Sequence, residues 1–553
     1  MTNLLLSILT GILLTLSFPK FNFSFLAWIA LVPLLIVVYN TRPKTAFLFG
    51  LIAGATTYCG ILYWIVPTFT AAGEPRILGI FCLLLLAIYC GLYVAVFCAL
   101  NSFLSKSLPL CRSRFRRNKR GIKGDLPFAA AFLWVSLEYI RAHLFSGFPW
   151  GIIGYSQWNF LQIIQITDIT GIYGVSFLIV TVNTALSLIF SPLPLPSFGF
   201  AQDRRGERIK VRVNKIKNII IVLLIFSLSF IYGIFTLGNP VKNPEPSIKI
   251  AVLQGNIDQY KKWDNSYRQE IIEAYTKLVK KAMKYKPDIV VWPESAVPGY
   301  LLMERDLYDW VKGLAIQSKC YHLVGTVQCK DKNIYNSAFI FTPDGRLLDE
   351  YSKIHLVPFG ETIPLKPLLS RYIKTLNELG DISSGDRHTV FSINPTNKIV
   401  LRTNKIVLRT SRTVNLSTNI CFEAIFPDLI RRFSKHGSDI IVNITNDGWY
   451  LKTSAPYQHF VFNIFRAIEN RKPVVRSANT GISGFIDSRG VVLKQTEIFT
   501  AACSVMDVQP LSKKTFYTKY GDVFAYFCLL ATVIIVILSG QTVSRPDSST
   551  CWG

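Results

Sequence analysis

Residues 415–424 read NLSTNICFEA, an apolar strand pattern that runs directly into Cys421 at the start of a possible helix. The segments around it repeat the theme. Upstream, IKIAVLQGNI (248–257), DIVVWPESAV (288–297), HLVGTVQ (322–328) and AFIFTPDG (338–345) read as β-strands with their turns. Downstream, DIIVNITND (439–447), VVRSANTG (474–481) and GISGFIDSRG (481–490) do the same. Between them, 266–285, 304–319 and 454–470 carry amphipathic helical periodicity. This alternation predicts a layered α/β domain over about 245–510, a sheet covered by helices.

Outside that region the composition changes. The chain of 553 residues is 50% hydrophobic, and its apolar residues cluster in 1–240 and again in 523–540. A spanning helix needs about 20 mostly apolar residues. Candidates fall near 3–18, 22–39, 46–66, 77–104, 127–144, 170–190, 217–237 and 523–540, a count of eight. The first lacks a basic n-region and an A-x-A site, so it reads as half of a helical hairpin turned at Pro19, not as a signal peptide. The loop 145–169 is too broken to span, and its Trp150, Tyr155 and Trp158 suit a membrane interface. Glu138 and Arg141, at the end of the fifth candidate, could pair one turn apart.

A formal charge of +26 raises nucleic-acid binding, but much of the excess lies in short segments between apolar runs and reads as membrane topology. Segment 105–125 carries eight basic residues, 191–217 carries seven, and Arg42 and Lys44 follow the second candidate. With eight spans these loops share one side, the cytoplasmic one. The 245–510 domain then lies outside the cytoplasm, and no nucleic-acid partner is expected. The eleven cysteines form no C-x-x-C pair, so neither a zinc site nor a disulfide framework is indicated. Cys320 and Cys329 could pair in an oxidising compartment. NKIVLRT occurs twice in succession, at 397–403 and 404–410, a local duplication that lengthens a strand or hairpin loop and is tolerable at the surface.

Three clusters carry chemistry. Trp292-Pro293-Glu294 ends a hydrophobic strand, where a carboxylate can serve as a general base, although a strand-end Glu is more often simply solvated. Tyr351 to Glu361 sets Lys353 and Glu361 among apolar residues, and read alone it is a salt bridge. Cys421, read alone, is a small core residue.

Together and in this order, W-P-E, Y-x-K-x-x-L-V-P-F-G-E and I-C-F-E resemble the Glu-Lys-Cys triad of the nitrilase (carbon–nitrogen hydrolase) superfamily. Gln254-Gly255-Asn256 with Trp263, Tyr335-Asn336-Ser337, Asn446-Asp447-Gly448-Trp449 and Arg476 to Gly481 add to it. Such a domain between seven spans and an eighth is similar to the apolipoprotein N-acyltransferases. The resemblance implies an αββα sandwich joined to a membrane helical bundle, a monomer in a bacterial inner membrane with its catalytic domain on the periplasmic side. It implies ping-pong transfer of an acyl chain, with no cofactor. A phospholipid, typically phosphatidylethanolamine, acylates Cys421, and the α-amino group of a diacylated apolipoprotein then takes the chain. Acyl transfer asks for Glu294 as base, Lys353 to favour the thiolate and hold the oxyanion, and the Phe422 N–H as a second oxyanion donor. Glu361 is expected to orient Lys353, with Glu423 and Trp263 in support.

Three features depart from the family pattern. Phe422 stands where Tyr is frequent, Leu451 stands where Gly is usual after the aromatic, and the duplication lies just before the Cys421 strand. Two competing readings remain: a membrane-tethered amidase or nitrilase that uses water as acceptor, and a transporter or scaffold with a degenerate outer domain.

Overall fold

The computed structural model describes residues 1–107, 126–190, 201–239, 247–259, 261–262, 264–358, 360–362, 382–395, 400–402, 405–407 and 413–543. The chain divides into two compact units, Met1–Gly238 with Asp522–Gly553, and Asn239–Gly521. Residues 108–125, 191–200 and Trp263 lie outside the described residues, and the basic stretch expected as the second strongly basic loop is helical from 201 onward, part of the helix Ala201–Gly238.

The first unit is helical. All eight apolar segments contain helix, and four described helices are long and apolar enough to cross a membrane: Pro43–Ile61, Arg76–Lys106, Ile172–Phe190 and Ile216–Gly238. On the last of these Ile220, Leu223, Leu224, Leu228, Ile231 and Phe235 all stand exposed, a surface that calls for lipid rather than water. Pro43–Ile61 and Arg76–Ser107 touch backbone to backbone. A Cβ added at Gly54 would lie 2.6 Å from the Cα of Gly91, so only glycine allows this approach.

The second apolar segment is broken into a 3-10 turn, Ser24–Trp28, and a helix, Val32–Asn40. Buried Asn183 mends the break. Its Oδ1 accepts from the Leu31 N–H at 2.8 Å and its Nδ2 donates to the Ala27 carbonyl at 2.8 Å, giving partners to two backbone groups at the break.

Two sequence expectations change here. Trp150 and Tyr155 are buried inside this unit, Trp150 against Trp64 with ring centroids 5.2 Å apart, and do not form an interfacial belt. Glu138 and Arg141 are also buried, but each serves the backbone of the following loop. Glu138 accepts from the Ile153 N–H, and Arg141 donates to the Phe148 and Trp150 carbonyls.

The second unit is built on two six-stranded sheets. The first holds β1 (Ile248–Gln254), β2 (Ile289–Val291), β3 (Tyr321–Lys330), β4 (Asn333–Phe341) and β5 (Leu347–Ser352). The second holds β6 (Val390–Ile393), β9 (Val414–Ile420), β10 (Ile440–Thr445), β11 (Val474–Ala478), β12 (Gly484–Ile486) and β13 (Val492–Gln495). Strand β14 (Ala502–Val508) completes the first sheet, in the order β14-β1-β2-β3-β4-β5, and the second runs β13-β12-β11-β10-β9-β6. β1, β2 and β3 are parallel, as are β9, β10 and β11.

Helices Arg268–Met283 and Arg305–Ser318 cover the first sheet. Their Ile271, Tyr275, Val279, Leu307 and Val311 bury against Leu253, Val290, Trp292 and Phe339. Helices Pro427–Lys435 and Ala455–Asn470 pack on the second sheet. The Ser477 hydroxyl of β11 reaches the Leu253 and Val291 carbonyls at 2.8 and 3.2 Å, stitching the sheets together. The result is the expected αββα layering.

Cys320 immediately precedes β3 and Cys329 sits near its far end. At about 3.3 Å per residue they are about 30 Å apart, beyond any disulfide, and both are free. The duplication forms its own hairpin, β7 (Val400–Arg402) paired with β8 (Lys405–Val407). It lies in the β6–β9 connection, and β9 keeps its register on both sides, Ile393↔Val414 with β6 and Ile444↔Ile420 with β10.

Candidate active site

Each of the three motif residues follows the C-terminal end of a strand: Glu294 after β2, Lys353 after β5 and Cys421 after β9. All three are buried. The Glu294 carboxylate is fixed at both oxygens. Oε1 accepts from the Asn336 side chain at 2.7 Å, and Oε2 accepts from the Asn446 backbone N–H at 2.7 Å. Lys353 Nζ lies 2.8 Å from Glu361 and 3.9 Å from Glu294, so one ammonium faces two carboxylates. Burial pulls the Lys353 ammonium down, but Glu361 and then Glu294 outweigh it, and the group is held above its ordinary range. Asn336 also donates to Glu361 at 3.1 Å and thereby spaces the two carboxylates.

Cys421 opens a 3-10 turn, Cys421–Ile425, with φ of 54°. A non-glycine residue in that region stores about 1–3 kcal/mol of strain, which the surrounding contacts must offset. Its own carbonyl accepts from His459 Nε2 at 3.0 Å. Burial pushes the Cys421 thiol well up, Glu294 adds to the rise, and Lys353 opposes it without winning. Burial thus favours the thiol form, with Lys353 acting toward the thiolate and the Glu294 carboxylate close by. Alkylation of Cys421 by iodoacetamide is accordingly expected to rise steadily through pH 9, with no plateau near neutrality. A rate already saturated at pH 7 would contradict this.

Glu423, also fully buried, ties two motifs together. It accepts from the Tyr351 hydroxyl, from the Ile354 and His355 N–H groups, and from the Ile420 N–H, all between 2.7 and 3.0 Å. It thus joins the chain leaving β5 to the turn that bears Cys421. The Phe422 ring packs edge-on against Phe426, with centroids 5.3 Å apart, so no hydroxyl is needed to seat it. Leu451 has φ of 53° and ψ of −159°, a conformation that glycine adopts freely and leucine only under strain.

Sequence reasoning passed over three further groups. Asn336 and Asn446 were noted only as parts of motifs, yet they orient Glu294. Lys262, beside Trp263, is buried and donates to the Glu294 carbonyl at 3.0 Å. Burial pushes its ammonium down to about 8, while Glu294 and Cys421 pull it back up. Among the described residues no cluster of three or more His, Cys, Asp or Glu is arranged to hold a metal ion. The arrangement can move a proton from Cys421 to Glu294 and hold negative charge near Lys353.

Comparison with known proteins bears on both units. Residues 10–185 match the family described as apolipoprotein N-acyltransferase N-terminal domain, and residues 249–513 match the carbon–nitrogen hydrolase family. An apolipoprotein N-acyltransferase from Geobacter metallireducens is 38% identical over 97% of this chain and 95% of its own length. Apolipoprotein N-acyltransferase 1 of Treponema denticola is 30% identical over 96% of this chain and 95% of its own. Among solved structures, an amidase from Nesterenkonia sp. (14% identity, 51% of this chain and 95% of that one) superposes with a TM-score of 0.36. Saccharomyces cerevisiae Nit3, of the nitrilase superfamily, gives 0.36 at 16% identity, covering 56% of this chain and 99% of its own.

Proposed function

This chain belongs to the apolipoprotein N-acyltransferase family, and from that premise we propose that it moves an acyl chain from a phospholipid, through a thioester on Cys421, to the α-amino group of a diacylglyceryl-cysteine at the N-terminus of a lipoprotein. The observation that carries the reading is the meeting of Glu294, Lys353 and Cys421 in one buried site, within a chain that aligns with these acyltransferases along nearly its whole length.

In the first half-reaction Glu294 takes the Cys421 thiol proton as Sγ attacks the ester carbonyl of the phospholipid. Charge that develops on the carbonyl oxygen is met by Lys353 and by the Phe422 N–H. The carbon–oxygen bond breaks, and protonated Glu294 returns its proton to the departing lysophospholipid oxygen. In the second half the lipoprotein amine attacks the thioester carbon and loses a proton to Glu294. The Cys421 thiolate leaves and recovers that proton. Glu361 and Asn336 keep Lys353 and Glu294 in place, and Glu423 holds the two strand exits in register.

The donor we favour is phosphatidylethanolamine, through its sn-1 chain, and we assign the enzyme to the bacterial inner membrane as a monomer. Eight spans place the Asn239–Gly521 unit on the periplasmic side, because the basic loops then share the cytoplasmic face. An apolar setting would shield the thioester from water. The test is mass spectrometry of the full-length protein with phosphatidylethanolamine alone, then with a diacylated lipopeptide. Acylated Cys421 is expected first, followed by one added acyl chain on the lipopeptide. Release of free fatty acid with the lipopeptide unchanged would favour a hydrolase instead.

A further inference from the structure

The nucleophile's peptide is gripped from behind. The Cys421 carbonyl and the Phe422 N–H belong to one planar trans peptide unit and point in opposite directions, so fixing one aims the other. His459, on the Ala455–Asn470 helix, lies with Nε2 3.0 Å from that carbonyl. Its Nδ1 lies 2.8 Å from Asp447 Oδ1, and Asp447 Oδ2 is in turn 2.7 Å from Arg476 Nη2. His459, Asp447 and Arg476 are all fully buried. The Arg476 guanidinium, 3.3 Å from Nδ1, and the Tyr450 and Phe462 rings, with centroids at 6.3 and 6.5 Å, also face the ring. A carbonyl oxygen can only accept, so Nε2 is the donor to Cys421.

We propose that His459 is a positioning residue of the acyl-transfer site: by holding the Cys421 carbonyl, it turns the Phe422 N–H toward the oxygen of the reacting carbonyl. The need for such a clamp follows from the backbone, because Cys421 sits at φ of 54°, a strained conformation that the contacts on either side of it must hold. Donation to the carbonyl also polarises the peptide and makes the Phe422 N–H a stronger donor. Asp447 is suited to anchor the ring. Burial opposes its charge, yet Arg476 and His459 hold its carboxyl down at about 2.

The inference rests on the thioester reading of Cys421, and its test separates the two. In His459→Asn the side-chain amide still reaches Asp447 but withdraws from the Cys421 carbonyl. In His459→Gln the longer amide reaches that carbonyl. Two rates are measured on the full-length protein in mixed micelles: acylation of Cys421 by dipalmitoyl phosphatidylethanolamine, and its alkylation by iodoacetamide. Alkylation displaces iodide at a saturated carbon and develops no oxyanion.

The expected result is that His459→Asn acylates about 100-fold more slowly, the loss of one oxyanion donor, with alkylation unchanged. His459→Gln is expected to regain at least about tenfold of that rate. Acylation at the wild-type rate in His459→Asn would overturn the proposal. So would acylation and alkylation falling in equal measure, or His459→Gln being no better than His459→Asn. Wild-type protein that never carries an acyl group on Cys421 would instead remove the thioester reading, and this inference with it.

Discussion

Replacing Cys421 by alanine is expected to abolish acyl transfer, by about 10⁴-fold or more, while the protein remains in the membrane with its melting transition little changed. The expectation follows from where the residue sits. Cys421 is the group that bonds to the acyl carbon in both half-reactions, so no neighbouring side chain can replace it. Serine is expected to fail almost as badly, because a hydroxyl is a much poorer acid than a thiol. The fold should tolerate either change, since the turn is held by Glu423 and by the Cys421 carbonyl, not by its sulfur. Transfer of a labelled acyl chain to a lipopeptide, beside a thermal melt in detergent, checks both halves. Transfer retained in the alanine variant would remove Cys421 from the mechanism.

Lys353→Met is expected to act twice, on activity and on stability. The lysine is 1% exposed and faces Glu361 at 2.8 Å and Glu294 at 3.9 Å. Its removal leaves buried Glu294 and half-buried Glu361 close together without this counter-charge, at a cost of about 3 kcal/mol. A second substitution, Glu361→Gln, removes one of those charges and keeps a donor and an acceptor in place. The double variant should recover most of the lost stability and none of the activity, because the oxyanion still lacks its cation. Equal melting temperatures for the single and double variants would show that the ion pair is not what holds this corner together.

Much of this was legible in the sequence because it depends on local pattern. The strand before Cys421, the helices over 268–283, 305–318 and 455–470, and the motifs bearing Glu294, Lys353 and Cys421 all announce themselves within a few residues. What was missed depends on distance or on short elements. The Asn446 N–H meets Glu294 across 152 positions, and Glu423 meets Ile354 across 69, so no spacing rule reveals either. The Pro427–Lys435 helix has nine residues, too few to display a period, and β13 is mostly exposed, without an alternating face. Trp150 and Tyr155 misled in the opposite direction, because amphipathic rings suit a membrane interface and a polar core equally well.

The doubled heptad between β6 and β9 has a practical side. Because β9 is clamped by a neighbour on each flank, chain added in that connection is absorbed as an outlying hairpin and does not shift the register of the residue that follows β9. The protein has in effect carried out its own insertion experiment. An affinity tag or a fluorescent reporter placed between 397 and 410 is expected to leave the β9 register, and with it the position of Cys421, unchanged.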